Sequence, residues 1–124
     1  MSINWNKYLR YKDGKLYWKE RRRKNRKDFQ TKVWNTKYAG TEAGCVGVYG
    51  YVLLNVESKT RRRARVVWEM HNGNIPKGKE VDHINFNRSD DRIENLQLLT
   101  SQENQSRKSQ KHMFVNGENY GNSR

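Results

Sequence analysis

The stretch EVDHINFNRSDDRIENLQLLTSQENQ, residues 80–105, decides how this chain folds. Residues 81–85 have the character of a strand end, 86–92 form a polar loop, and 93–99 predict a second strand. On that second strand Leu96 and Leu98 share one face and Asn95 takes the other, because side chains alternate along a strand. Thr100-Ser101-Gln102-Glu103 then matches a capping box, Thr100 as N-cap and Glu103 three residues on, and predicts a helix from Ser101 to about Lys111. The local order is strand, loop, strand, helix. That helix is polar nearly all round, so something other than an apolar stripe has to hold it.

Upstream, Arg61-Arg62-Arg63 leads into a short helix over 64–72, with Val66, Val67 and Met70 at helical spacing and Gly73 as its stop. Pro76 and Gly78 mark the turn that follows. Residues 40–60 combine Gly40, Gly44, Gly47 and Gly50 with β-branched and aromatic residues, which predicts one or two antiparallel strands, the better one over 51–56. At the start of the chain, Asp13-Gly14 sits between two aromatic-rich segments and signals a hairpin whose returning strand is Lys15-Leu16-Tyr17-Trp18. The run from Arg21 to Lys27 reads as a solvated basic loop, and 113–124 as a loosely ordered polar tail. Three parts result: an N-terminal basic and aromatic β region (1–62), a core (63–112) and the tail (113–124).

Composition narrows the partner. The 124 residues hold 26 Lys and Arg against 13 Asp and Glu, a net charge of +13, with a pI near 10.1 and a mean hydropathy of -1.24. So basic a chain gains affinity for a polyanion by releasing counterions from phosphates. Its core has to be thin, with 33% hydrophobic residues. The single cysteine, Cys45, excludes an internal disulfide and a paired-cysteine zinc knot, and is expected to be a small buried residue. No apolar run approaches a membrane span and the first ten residues lack the apolar core of a signal peptide, so a soluble intracellular protein is expected.

One dipeptide carries chemistry. Asp82-His83 puts a hard oxygen ligand beside a base that titrates near neutral pH, and neighbouring strand positions let the two approach a phosphate from different directions. His71 and His112 lie in ordinary polar surroundings and are expected at the surface.

An Asp-His pair, an Ile-Glu-Asn-Leu, a Leu-Thr and a Glu-Asn follow one another across 82–104, and this order resembles the HNH endonuclease signature in the phage and homing variant whose final motif residue is asparagine. The resemblance covers about residues 66–107. It implies an α+β fold, a β-β-α-metal finger preceded here by a small antiparallel N-terminal β region and a short helix. It also implies roles: His83 as general base, Asn95 as the residue that orients its imidazole, Asp82 and Asn104 as metal ligands. Glycine is common in the family where Phe86 stands, and asparagine where Asp91 stands; both positions fall in the loop, so the departures bear on loop conformation and DNA contact.

The expected function is therefore metal-dependent hydrolysis of DNA phosphodiesters, by nicking or double-strand cutting, in a phage-encoded homing-type nuclease. The alternative is a basic nucleic-acid-binding module that keeps the scaffold without the chemistry. The cofactor expected is a divalent ion, Mg²⁺, with Mn²⁺ able to substitute. Phosphate contacts are assigned to Arg21, Arg22, Arg23, Lys24, Arg26, Lys27, Arg61, Arg62, Arg63, Arg65, Arg88, Arg92, Arg107, Lys108 and Lys111. DNA is the partner, with no membrane and no obligatory protein, and the chain is a monomer or homodimer.

Overall fold

A computed structural model describes the backbone of residues 3–116, and side chains as far as Lys108. After a 3₁₀ turn at Trp5–Lys7 come β1 (Leu9–Lys12) and β2 (Lys15–Trp18), paired antiparallel with Leu9 opposite Trp18 and Tyr11 opposite Leu16. The two-residue connection is the one predicted: Asp13 and Gly14 both take positive φ, 49° and 85°, the mirror-image turn that matches strand twist. Alanine has no room at Gly14, since its Cβ would lie 2.7 Å from the backbone nitrogen of Arg92. Leu9 and Leu16 on the inner face are fully buried.

Past the basic loop the chain forms a helix that the sequence reading does not contain, α1 (Phe29–Tyr38). Asp28 caps it by accepting from Thr31 N at 3.1 Å, and also accepts from Lys24 N at 3.0 Å; these bonds hold its carboxyl down at about 2. None of its residues is buried. The helix is clasped instead. Asn35 gives and takes a hydrogen bond with the backbone of Arg21 (2.8 and 2.7 Å), and the Arg21 guanidinium lies 3.6 Å from the Trp34 ring centroid. A helix held this way has no apolar stripe to advertise it.

β3 (Cys45–Val46), β4 (Val52–Val56) and β5 (Lys59–Arg62) make an antiparallel sheet in that order. β4 alternates as expected, with Val52, Leu54 and Val56 inward. β5 replaces the extended basic run expected before the helix, because Glu57 and Ser58 both turn through positive φ and send the chain back along β4. Cys45 is exposed, not buried, because β3 is a two-residue edge strand and both of its residues are exposed.

α2 (Arg63–Asn72) buries Ala64, Val66 and Val67 and stops at Gly73, whose φ is 82°. β6 (Lys79–His83) and β7 (Leu96–Thr100) then pair antiparallel, with His83 opposite Leu96, and α3 (Ser101–Asn116) follows directly. Asn95 ends a short 3₁₀ turn before β7 instead of lying on the strand. The capping box is present: Thr100 N donates to Glu103 Oε1 (2.8 Å) and Glu103 N to Thr100 Oγ1 (3.1 Å). Thr100→Ala is expected to cost about 1 kcal/mol of unfolding free energy, read from denaturant melts. α3 continues to Asn116, into the segment expected to be loose, and the rest of that tail lies outside the described residues.

Among the described residues a buried cluster joins the N-terminal strands to α2 and β7. Trp5, Leu9, Leu16, Leu54 and Val56 pack with Val66, Val67 and Leu96 across the boundary expected at residues 62 and 63. Trp5 Nε1 donates to Glu69 Oε1 (2.8 Å) and Ile93 N donates to the Tyr11 hydroxyl (3.0 Å), so the N-terminal strands brace both α2 and the β6–β7 loop.

Candidate active site

β6, α3 and the junction of β5 with α2 frame a cleft of about 410 Å³. Glu80, Asp82 and His83 come from β6, Asn104, Arg107 and Lys108 from α3, and Tyr51, Arg62, Arg65 and Arg88 from the facing wall. The polar helix is docked onto β6 by its charges. Ser101 Oγ donates to Glu80 (3.1 Å), and Asn104 Nδ2 donates to the same carboxylate, holding it below the ordinary range for a glutamate. Arg107 Nε lies 2.8 Å from Asp82 Oδ2, its Nη2 donates to Ile84 O (2.9 Å), and its guanidinium covers the Phe86 ring at 4.4 Å. Thus the protein itself supplies what holds α3.

His83 sits at the end of β6 and is buried. Its Nε2 lies 2.6 Å from Asp91 Oδ1. A carboxylate only accepts, so Nε2 is the donor, and in the neutral imidazole the lone pair is on Nδ1. Asp91, 1% exposed, is held in turn by Arg63, 4% exposed, whose Nε donates to Asp91 Oδ2 at 2.7 Å. Arg63 also donates to Ser89 O (3.0 Å) and Glu42 (3.2 Å). The result is a buried relay of side chains, Arg63 to Asp91 to His83. On Asp82, Gln97 and Arg107 both engage Oδ2; among the described residues nothing engages Asp82 Oδ1 or the amide oxygen of Asn104.

A family model described as HNH endonuclease matches residues 61–106, the segment from the end of β5 into α3, which carries Arg63, Glu80, Asp82, His83, Asp91 and Asn104. Over residues 61–106 the chain is similar to HNH endonucleases. The chain is 48% identical over 46 residues to Protein 3.8 of Escherichia phage T7, spanning 37% of this chain and 38% of that protein. It is 51% identical over 35 residues to the gene 5.3 protein of Enterobacteria phage T3, 28% of this chain and 35% of that one. The chain thus matches well under half the length of these relatives. The fold is similar to that in a structure titled "DNA binding and cleavage by the HNH homing endonuclease I-HmuI", with a TM-score of 0.56 and 19% identity over 85% of this chain and 53% of that one.

The HNH-like segment brings together Asp82, His83 and Asn104, as the sequence reading expects. Asn95 does something else. Its amide, 6% exposed, donates to Asn85 Oδ1 (3.0 Å) and Asp90 O (2.8 Å) and accepts from Asn85 N (3.0 Å), so it braces the loop while Asp91 takes the imidazole. Arg63 leaves the phosphate-contact set because it is buried under Asp91. Arg92 is drawn into a two-toothed pair with Asp90 (2.8 Å for each bond), and Arg61 lies over the Trp5 ring at 5.1 Å. Arg62, Arg65, Arg88, Arg107 and Lys108 do line the cleft. The side chains of Lys111 and His112 lie outside the described residues.

The two departures from the family pattern also acquire reasons. Phe86 has φ of 65°, a left-handed conformation that costs a non-glycine residue about 1–2 kcal/mol and explains the glycine common there. Asp91 does more than shape a loop, since it meets the His83 imidazole. No signal in the sequence separated it from Asp90.

Proposed function

We propose that this chain is a divalent-metal-dependent DNA endonuclease of phage origin, of the homing type, that hydrolyses phosphodiesters in the β6–α3 cleft. The carrying observation is the relay behind His83, which leaves Nδ1 as the basic nitrogen in a cleft that also holds two unengaged oxygens and five cationic side chains.

Nδ1 of His83 takes the proton from the attacking water, and Asp91 stabilises the imidazolium that forms. Arg62, Arg65 and Arg88 on one wall and Arg107 and Lys108 on the other hold the phosphates and set the direction of attack. Asp82 Oδ1 and the Asn104 amide oxygen are the donors for the ion. Both are hard oxygens, which suits Mg²⁺, and Mn²⁺ by the same chemistry. No three His, Cys, Asp or Glu side chains converge among the described residues, so Asp82 and Asn104 would hold the ion together with substrate and solvent oxygens. When bound, the ion supplies charge stabilisation at the leaving oxygen.

The test uses supercoiled plasmid with Mg²⁺, with Mn²⁺ and with EDTA, and Asp82→Ala beside wild type. Nicked or linear plasmid with either metal, lost in EDTA and lost in Asp82→Ala, is the expected result. Plasmid bound but never cut, across DNA of varied sequence, would establish the binding module instead; cleavage of structured RNA with DNA untouched would move the same site to an RNA substrate.

A further inference from the structure

At the tip of the β3–β4 connection the local sequence contradicts its own conformation. Gly50 N donates to Gly47 O (3.1 Å), which closes a four-residue turn with Val48 and Tyr49 at its two central positions. Turn centres favour Gly, Pro, Asn, Asp and Ser. Here two large apolar groups occupy them and project into solvent, Val48 95% exposed and Tyr49 75%.

Nothing about this turn is slack. Gly47 N donates to Tyr51 O (2.8 Å), Arg88 Nη1 donates to Tyr49 O (2.9 Å), and Ser89 Oγ donates to Gly50 O (2.7 Å). Arg88 and Ser89 belong to the loop between β6 and β7, so the loop that carries Asp91 also pins the tip. Immediately after the tip, Tyr51 enters the cleft. Its ring lies 6.2 Å from that of His83 and is flanked by Arg62 at 3.8 Å and Arg88 at 4.8 Å. Violations of local preference that are held rigidly mark functional positions.

Given the DNA-cutting reading of the cleft, on which this rests, we infer that Val48 and Tyr49 form a wedge that enters duplex DNA beside the scissile phosphate and unstacks a base step. The occupant follows from position and charge. A polyanion seated in the cleft lies against Tyr51 and therefore against the adjoining tip, with Arg62 and Arg88 beside it to take the flanking phosphates. A second copy of this chain would bring another +13 toward the same arginines. Apolar wedges of this kind kink DNA from the minor groove, and rigidity is what lets two side chains do so without losing the gain to their own ordering. The kink opens the backbone at one step, which presents its phosphate to His83.

Unstacking changes the twist of closed circular DNA, and that change is read without any cleavage. Plasmid saturated with protein in EDTA is relaxed by a metal-independent type I topoisomerase, stripped of protein and resolved by gel. Wild type is expected to displace the topoisomer distribution by several bands. The double variant Val48→Ser, Tyr49→Ala should leave it at the position of the protein-free control at equal DNA occupancy, and Tyr49→Phe should retain the displacement. With Mg²⁺ present, the double variant should nick about tenfold more slowly. Both side chains are exposed, so an unchanged melting temperature verifies the fold. Wild-type protein that binds plasmid and displaces nothing overturns the wedge, as does a double variant that displaces as much as wild type. Protein that nicks plasmid without shifting topoisomers sinks the wedge alone; a shift without nicking supports the wedge and sinks the nuclease.

Discussion

Replacing Asp91 with alanine is expected to lower the unfolding free energy by about 3–5 kcal/mol, the range for removing one partner of a buried ion pair. Asp91 is the sole acceptor shared by two buried donors, Arg63 Nε and His83 Nε2. Without it the Arg63 guanidinium keeps only Glu42 and a backbone carbonyl, and stays buried with its charge poorly matched. For a thin-cored domain whose total stability is of order 5–15 kcal/mol, that is a large share. Urea melts at neutral pH measure it, and a loss under about 1 kcal/mol would mean that the relay contributes little to the fold. Asp91→Asn separates structure from chemistry. The amide fits the space, but it presents one oxygen and one NH₂ to two donors, so the imidazole is driven to accept at Nε2 and carry its proton on Nδ1. Most of the stability should return while cleavage stays slow, and the pH profile of the residual rate should differ from wild type; a wild-type rate and profile in Asp91→Asn would remove Asp91 as a positioning residue.

His83→Ala is expected to slow plasmid cleavage by about 10²–10⁴-fold, the usual contribution of a positioned general base. DNA affinity in the same variant should stay within about twofold of wild type, because the phosphate contacts lie on Arg62, Arg65, Arg88, Arg107 and Lys108. Stability should fall less than in Asp91→Ala, since the Asp91 carboxylate keeps its Arg63 partner. Single-turnover cleavage and a filter-binding isotherm on the same preparation check both halves. A variant that cuts at the wild-type rate would move the general base elsewhere.

The legible part of this protein is the part governed by neighbours in sequence. The Asp13-Gly14 turn, the alternation in β4, the helical spacing of α2 and the reciprocal cap at Thr100 and Glu103 each depend on residues within a few positions of one another, and each is present. α1 and β5 escaped for a common reason. α1 is held by aromatic stacking on Arg21 and a backbone clasp, and β5 by a turn through Glu57 and Ser58 that has no glycine to mark it.

By itself, then, the sequence determined the strand-loop-strand-helix order and the basic character, because these depend on residues near one another in the chain, while the grouping of Asp82, His83 and Asn104 was what the resemblance to the HNH signature implied. Tertiary structure alone decided what stands behind the histidine. Asp91 lies eight residues from His83 and Arg63 twenty-eight from Asp91, and only the folding of α2 against the β6–β7 loop brings them into contact. The same packing set Arg63 apart from the arginines beside it. Charge runs in a sequence look alike, but burial opposite a carboxylate turns Arg63 into an internal counterion while Arg62 and Arg65 line the cleft.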